Sequence, residues 1–263
     1  MSHPMLQGKA LIVTGAASGI GAASAAYAAA QGARVIAVDR QEPAQPVGEF
    51  MQADLSDKAS IDRLVAALPA GANGLANIAG LPPTRPAEAV LAVNLVGLKY
   101  LTTQLVPRLA DGASIVNLAS LAGLGWTAPE AKAAIDASAA LDFDGIAGFC
   151  RAHGISGARS YFFSKEALIV WTMQNRWTWR ERGIRMNAIS PGPVQTPILP
   201  DFLETLGARA EEDMRTMDRP GRPVDIAPVV AFLLSDGSGW IRGANLPVDG
   251  GMFSNVLCEQ HGF

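Results

Sequence analysis

Short apolar runs separated by turn residues and longer helical stretches set the rhythm of this chain. Runs at 10–14, 34–38, 74–78, 114–118, 184–189 and 244–248 have the length and the Val/Ile/Leu content of buried strands. The first is followed by a Gly-containing turn and an Ala-rich stretch over 20–31 that stops at Gly32, a strand–turn–helix order. Strands that read as continuously apolar and alternate with helices predict a parallel sheet, because parallel neighbours need a crossover and a helix supplies it. The expected fold is therefore α/β: one Rossmann-like, doubly wound parallel sheet with helices on both faces, forming a single domain over 1–263. The Ala-rich stretch at 126–157 alternates apolar and polar residues at helical spacing and is read as a helical insertion.

Composition narrows the partners. Hydrophobic residues make up 49% and charged ones 17%, enough apolar side chains for one large core. A net charge of −3 without a local Lys/Arg cluster excludes a nucleic-acid footprint and leaves small molecules as the expected ligands. Cys150 and Cys258 have no companions at metal-ligand spacing, and His3, His153 and His261 lie far apart, so neither a disulfide framework nor a metal site is expected. The first residues lack a secretory pattern and no apolar run looks long enough to span a bilayer, so a cytoplasmic protein without membrane association is expected.

The turn after the first strand reads TGAASGIG over 14–21. Glycines at 15, 19 and 21 allow a sharp turn and close approach to main-chain N–H groups, and the helix that follows offers its positive end, so Gly15, Ser18, Gly19, Ile20 and Gly21 form a candidate pyrophosphate cradle. The spacing is GxxxGxG, not the GxGxxG of the better-known dinucleotide fingerprint. Asp39 ends the second strand 18 residues after Gly21, where a carboxylate accepts from ribose hydroxyls and repels a 2′-phosphate. That favours NAD over NADP; the adjacent Arg40 either accommodates a 2′-phosphate or stacks on adenine. Asp54, followed by Leu55, either meets the adenine amino group or caps the helix that starts near Asp57.

Tyr161 and Lys165 stand four apart on a stretch read as helical to about Arg180, hence on one face. A free phenol titrates near pH ~10, and a fixed cation close by favours the phenolate. With TGAASGIG, Asp39, Asp54, NIAG at 77–80, Asn94, Ser120, YFFSK at 161–165 and PGPVQT at 191–196, the chain resembles the short-chain dehydrogenase/reductase family over nearly its whole length. The resemblance implies that Tyr161 is the catalytic acid/base and that Lys165 binds the nicotinamide ribose and lowers the tyrosine pKa. Ser120 would then hold the substrate oxygen and Asn94 a water in the proton relay. It further implies that Asn77, Ala79 and Gly80 lie on the adenosine side, and that Pro191, Gly192, Val194 and Thr196 cover the nicotinamide carboxamide.

Ser120 and Tyr161 are 41 positions apart, a longer connection than the common family pattern, and the segment from Asn77 to Asn94 looks trimmed. Both traits resemble the bacterial branch of 3α-hydroxysteroid dehydrogenase/carbonyl reductase and coniferyl-alcohol dehydrogenase. That branch implies a hydrophobic hydroxysteroid or aryl/cinnamyl alcohol, or the matching ketone or aldehyde, as substrate. The insertion, on a face where family members associate, points to a homodimer, with a tetramer as the alternative. Residues 197–217 read as a lid over an apolar substrate or as a plain amphipathic surface helix. Trp126, Trp171, Trp177, Trp179 and Trp240 either line a pocket or pack in the core. Two rival functions are an NAD-binding sensor or scaffold without turnover and a 3-ketoacyl reductase.

Overall fold

A computed structural model describes residues 4–207, 214–215 and 217–263. Seven strands form one parallel sheet in the order β3-β2-β1-β4-β5-β6-β7: β1 Ala10–Thr14, β2 Arg34–Asp39, β3 Glu49–Gln52, β4 Ala72–Asn77, β5 Leu109–Leu118, β6 Arg185–Pro191 and β7 Asn245–Val248. Six of them sit where the apolar runs placed them. The exception, β3, pairs with β2 from Ile36↔Glu49 to Asp39↔Gln52; its four residues are mostly half-exposed or exposed at the sheet edge, so no apolar run announced it.

The helices are α1 Gly19–Ala30, α2 Lys58–Ala67, α3 Ala87–Leu91, α4 Leu98–Leu105, α5 Pro129–Ala137, α6 Ile146–Ala152, α7 Arg159–Gln174, α8 Leu199–Leu206, α9 Pro223–Leu234 and α10 Met252–His261. They cover both sheet faces. One core cluster joins Ile12, Ile36 and Ile115 to α2 and α4, and the other joins Val13, Val35 and Val116 to α1 and α9. Strand order reverses between β1 and β4, which opens a crevice outside the carboxyl ends of those strands, the place where this architecture binds ligands.

Two expectations change. α7 stops at Gln174, short of Arg180, and the chain continues in turns to Gly183 at φ +67°. α3 and α4 are joined through a π-helical turn, Ala92–Gly97, and Ala87–Arg108 is long and apolar enough to cross a membrane, with a mean hydropathy of 1.4. That segment is instead a core helix, 72% buried, because its apolar side chains pack on the sheet and on α7. The insertion is two short helices, α5 and α6, whose Ala131, Ile135, Ile146 and Phe149 form a third cluster with Leu91, Leu95 and Phe163.

Candidate active site

The candidate cofactor groove begins at the end of β1. Gly15 adopts φ +71°, and a Cβ there would stand 2.7 Å from the Ala79 nitrogen, so the glycine-rich turn lies directly on the turn after β4. A Cβ on Gly21 would fall 2.0 Å from the Gly15 carbonyl oxygen, which explains why the first turn of α1 needs glycine there. Ser18 is the N-cap residue of α1, yet its side chain makes no capping bond, leaving the helix's amino end open to an anion. The Thr14 hydroxyl accepts from the Ile78 and Ala79 N–H groups at 3.0 and 3.2 Å and so ties β1 to β4 beneath the crevice. Open N–H groups, bare Cα atoms and this brace fit a dinucleotide pyrophosphate.

Asp39 lies beside the same loop. Its carboxylate accepts from the Ala17 N–H at 2.9 Å and the Gln41 N–H at 3.0 Å, which fixes it at the groove's edge, while Arg40 next to it is exposed. Asp54 accepts from both N–H and O–H of Ser56; the residue that caps α2 is Asp57, through the Ala59 N–H at 2.9 Å. Leu55 is buried with its carbonyl against Gly97. On the opposite flank, Gln195 donates to the Gly221 carbonyl and Gly221 to that of Pro193, holding the loop from Pro191 to Thr196. Gly192 packs on Asp249, Val194 is buried, and the Thr196 methyl lies against Gly19, so this loop and the glycine-rich turn meet.

The chemistry-bearing side chains converge at the end of β5. Lys165 on α7 donates from Nζ to the Leu118 carbonyl at 2.7 Å, and Nζ lies 5.5 Å from the centre of the Tyr161 ring. Ser120, two residues beyond β5, accepts from the Ala122 N–H at 3.2 Å, and its hydroxyl lies near enough to the Tyr161 phenol to favour the phenolate. Tyr161 and Lys165 are 6% and 4% exposed, too buried to be an ordinary surface pair. Gly123 lets the turn after Ser120 touch α7, since a Cβ there would sit 2.7 Å from the Lys165 carbonyl carbon.

Burial sets the acidities. Desolvation pushes the Lys165 ammonium down to about 8. The same cause holds the Tyr161 phenol above its ordinary value, opposed by the nearby Ser120 hydroxyl. Withdrawal from water thus acts on both groups, raising the phenol and lowering the ammonium.

Two asparagines of the resemblance hold the strands and the loop around the crevice. The Asn77 side chain is fully buried beneath the crevice, donating to Thr102 Oγ1 and Asn117 Oδ1, both at 2.9 Å; it fastens β4 to β5 and α4, which leaves its backbone as the part that can face the adenosine side. Ala79 and Gly80 do lie at the crevice, half-buried and exposed. The Asn94 side chain donates to the Leu81 carbonyl at 3.0 Å and accepts from the Leu81 N–H at 2.7 Å, which clamps the loop after β4 to the π-helical turn. Its place in the π-helical turn is a position often found at functional sites.

Two contributors left no signal in the sequence. Phe202 on α8 packs edge-to-face on Tyr161, with ring centroids 4.8 Å apart. Glu166, 5% exposed and next to Lys165, takes a two-pronged bond from Arg159 and abuts Gly125, bracing α7 against the Ser120 turn. An acid within an ordinary helical stretch gave no signal of this. Of the lid reading for 197–217, α8 is described, and residues 208–213 and 216 lie outside the described residues. Trp171 and Trp179 pack against the core and Trp126 beside α7, whereas Trp177 and Trp240 are 58% and 97% exposed. The exposed pair flanks a depression of about 380 Å³ with Arg180 and Arg242; these residues precede β6 and β7, at the strand ends opposite Tyr161. Among the described residues no cluster of potential metal ligands occurs; Cys150 and Cys258 are unpaired, and His3 lies outside the described residues.

Comparison with known proteins agrees with this geometry. Residues 9–131 match a model of short chain dehydrogenases, and 146–253 match one described as enoyl-(acyl carrier protein) reductase. The chain is 40% identical to a coniferyl-alcohol dehydrogenase of Pseudomonas sp. strain HR199, over 96% of this chain and 99% of the relative. It is 29% identical to a 3-alpha-hydroxysteroid dehydrogenase/carbonyl reductase of Comamonas testosteroni, over 92% and 95%. A crystal structure of the 3-alpha-hydroxysteroid dehydrogenase from Pseudomonas sp. B-0831 complexed with NADH superposes with a TM-score of 0.79 at 31% identity, covering 94% of this chain and 98% of that one. A full-length relative at 40% identity, together with the Tyr161–Lys165–Ser120 geometry, makes this chain an oxidoreductase that belongs to the short-chain dehydrogenase/reductase family.

Proposed function

We propose that the protein is an NAD-dependent alcohol dehydrogenase and carbonyl reductase for a hydrophobic alcohol of the aryl/cinnamyl or hydroxysteroid type. The observation that carries this reading is the buried Ser120–Tyr161–Lys165 set at the end of β5, beside the crevice between β1 and β4. NAD, bound along the groove from Gly15 to Asp39, supplies the hydride acceptor. Ser120 and Tyr161 receive the substrate oxygen between them, and Tyr161 takes the hydroxyl proton during oxidation or returns it during reduction. Lys165 would fix the nicotinamide ribose, and its ammonium, 5.5 Å from the centre of the Tyr161 ring, favours the tyrosinate. The π-helical turn around Asn94 is the end of the proton relay.

Asp39 supports NAD as the cofactor, because a carboxylate already held by two backbone N–H groups cannot swing away from a 2′-phosphate. The NADH-bound relative supports the same choice. We further place the protein in the cytoplasm, where the unpaired Cys150 and Cys258 suit a reducing environment, and assign it a homodimeric state. The test is NADH formation by the purified protein and by Tyr161→Phe with cinnamyl-type alcohols and hydroxysteroids. Wild-type turnover is expected, with kcat lower by about 10²–10⁴-fold in the variant and NAD affinity retained. Near-normal kcat in Tyr161→Phe would remove Tyr161 from the mechanism.

A further inference from the structure

Tyr161 is enclosed partly by its own helix and partly by a residue from a distant element. α8 lies over it, and Phe202 meets its ring at an interplanar angle of 78° with centroids 4.8 Å apart. A hydrogen bond in which the Thr84 hydroxyl donates to the Asp201 carboxylate joins α8 to the loop between β4 and α3, and Thr205 braces the same residue by donating to the Asp201 carbonyl at 2.7 Å. Asp201 and Phe202 are adjacent, so the bond that fixes one positions the other.

We propose that Phe202 is the residue that selects the substrate's ring, kept over Tyr161 by the Thr84–Asp201 hydrogen bond, and that it favours a flat aryl group over an alicyclic one. This rests on reading Tyr161 as the acid/base of the proposed function. Tyr161 is only 6% exposed and Phe202 of α8 packs on its ring, so a molecule at the phenol and Ser120 lies beside α8. An alcohol whose oxygen lies between Ser120 and Tyr161 carries its apolar body against the surface that Phe202 covers. An aromatic ring there can exchange edge-to-face contacts with both Phe202 and Tyr161, because its negative face and positive edge match theirs. A saturated ring offers bulk without that charge pattern.

The experiment compares the full-length wild type with Thr84→Val, Phe202→Ala and Phe202→Leu. Hydroxyl-radical labelling of Tyr161, read by mass spectrometry, measures the cover; calorimetric affinity of the NAD complex for cinnamyl alcohol and for cyclohexanol measures selection; turnover of both alcohols is recorded in parallel. Thr84→Val and Phe202→Ala are expected to raise Tyr161 labelling. Phe202→Leu is expected to keep the cover and still weaken cinnamyl alcohol by about 3- to 10-fold relative to cyclohexanol. Unchanged labelling in Phe202→Ala, or equal losses for the two alcohols in Phe202→Leu, would overturn the proposal. Absence of wild-type turnover with the affinity difference intact would instead overturn the dehydrogenase function and leave the assignment of Phe202 standing.

Discussion

Lys165 is a charge-bearing group that the fold keeps from water, and its burial should be visible in stability as well as in catalysis. Its pKa falls from an ordinary 10.5 to about 8 in the folded chain. Below about pH 8 both folded and unfolded chains hold the proton, and the desolvation of the ammonium weighs fully against folding, by roughly 3 kcal/mol. Between the two values the unfolded chain binds more protons than the folded one, so stability rises with pH and the penalty is gone above 10.5. Lys165→Met removes this dependence. Thermal melts of both proteins at pH 7, 8.5 and 10 should show the variant's relative stability greatest at pH 7 and declining upward; parallel curves would mean that the ammonium is not desolvated. Asp39 gives a second residue-scale test. With its carboxylate beside the glycine-rich turn, Asp39→Ala should narrow the preference for NAD over NADP by about 10-fold or more, as kcat/KM ratios would report. An unchanged ratio would move discrimination to Arg40.

At the scale of elements, the site is a set of contacts between turns. The glycine-rich turn rests on the turn after β4, and the turn after β5 rests on α7, each through a glycine where no side chain fits. Gly21→Ala puts a methyl 2.0 Å from a backbone carbonyl, so either α1 or the turn must shift. NAD binding should weaken by at least about 10-fold while the sheet persists, because the displaced N–H groups no longer converge on one anion. Fluorescence titration with NADH together with circular dichroism checks both halves of that statement; unaltered affinity would show that the amino end of α1 is not the anion site. The π-helical turn has a comparable role, since Asn94 uses both ends of its amide on Leu81 and thereby fixes the loop that also presents Thr84 to α8.

For the molecule as a whole, α5 and α6 occupy the outer side of α3 and of the helix that carries Tyr161 and Lys165. Their third core cluster makes them part of the scaffold of the site, since Phe149 packs on Phe163 with tilted rings and centroids 5.4 Å apart, within the turn between Tyr161 and Lys165. With that face covered, sedimentation velocity is expected to give a species near twice the 27.5 kDa chain mass. A species of four chains would show that the insertion leaves a second face free to associate.

The sequence by itself determined the parallel sheet, the glycine-rich turn and the pairing of Tyr161 with Lys165, because strand burial, backbone freedom and a four-residue helical offset are local properties. It also carried the family's order of motifs. Tertiary structure decided the rest. β3 was invisible because an edge strand needs no apolar run, and α7 ended early because its last turns gave way to a Gly183 turn that no helical period encodes. Asn77 and Asn94 read as site residues, yet which groups they reach depends on neighbours 25 to 40 positions and 13 positions away. Phe202 was silent in the sequence, since only the path of α8 across the carboxyl ends of the strands brings its ring to Tyr161. The acidities followed the same division: which groups titrate is written in the chain, whereas the burial that moves them arises only once distant segments have closed around them.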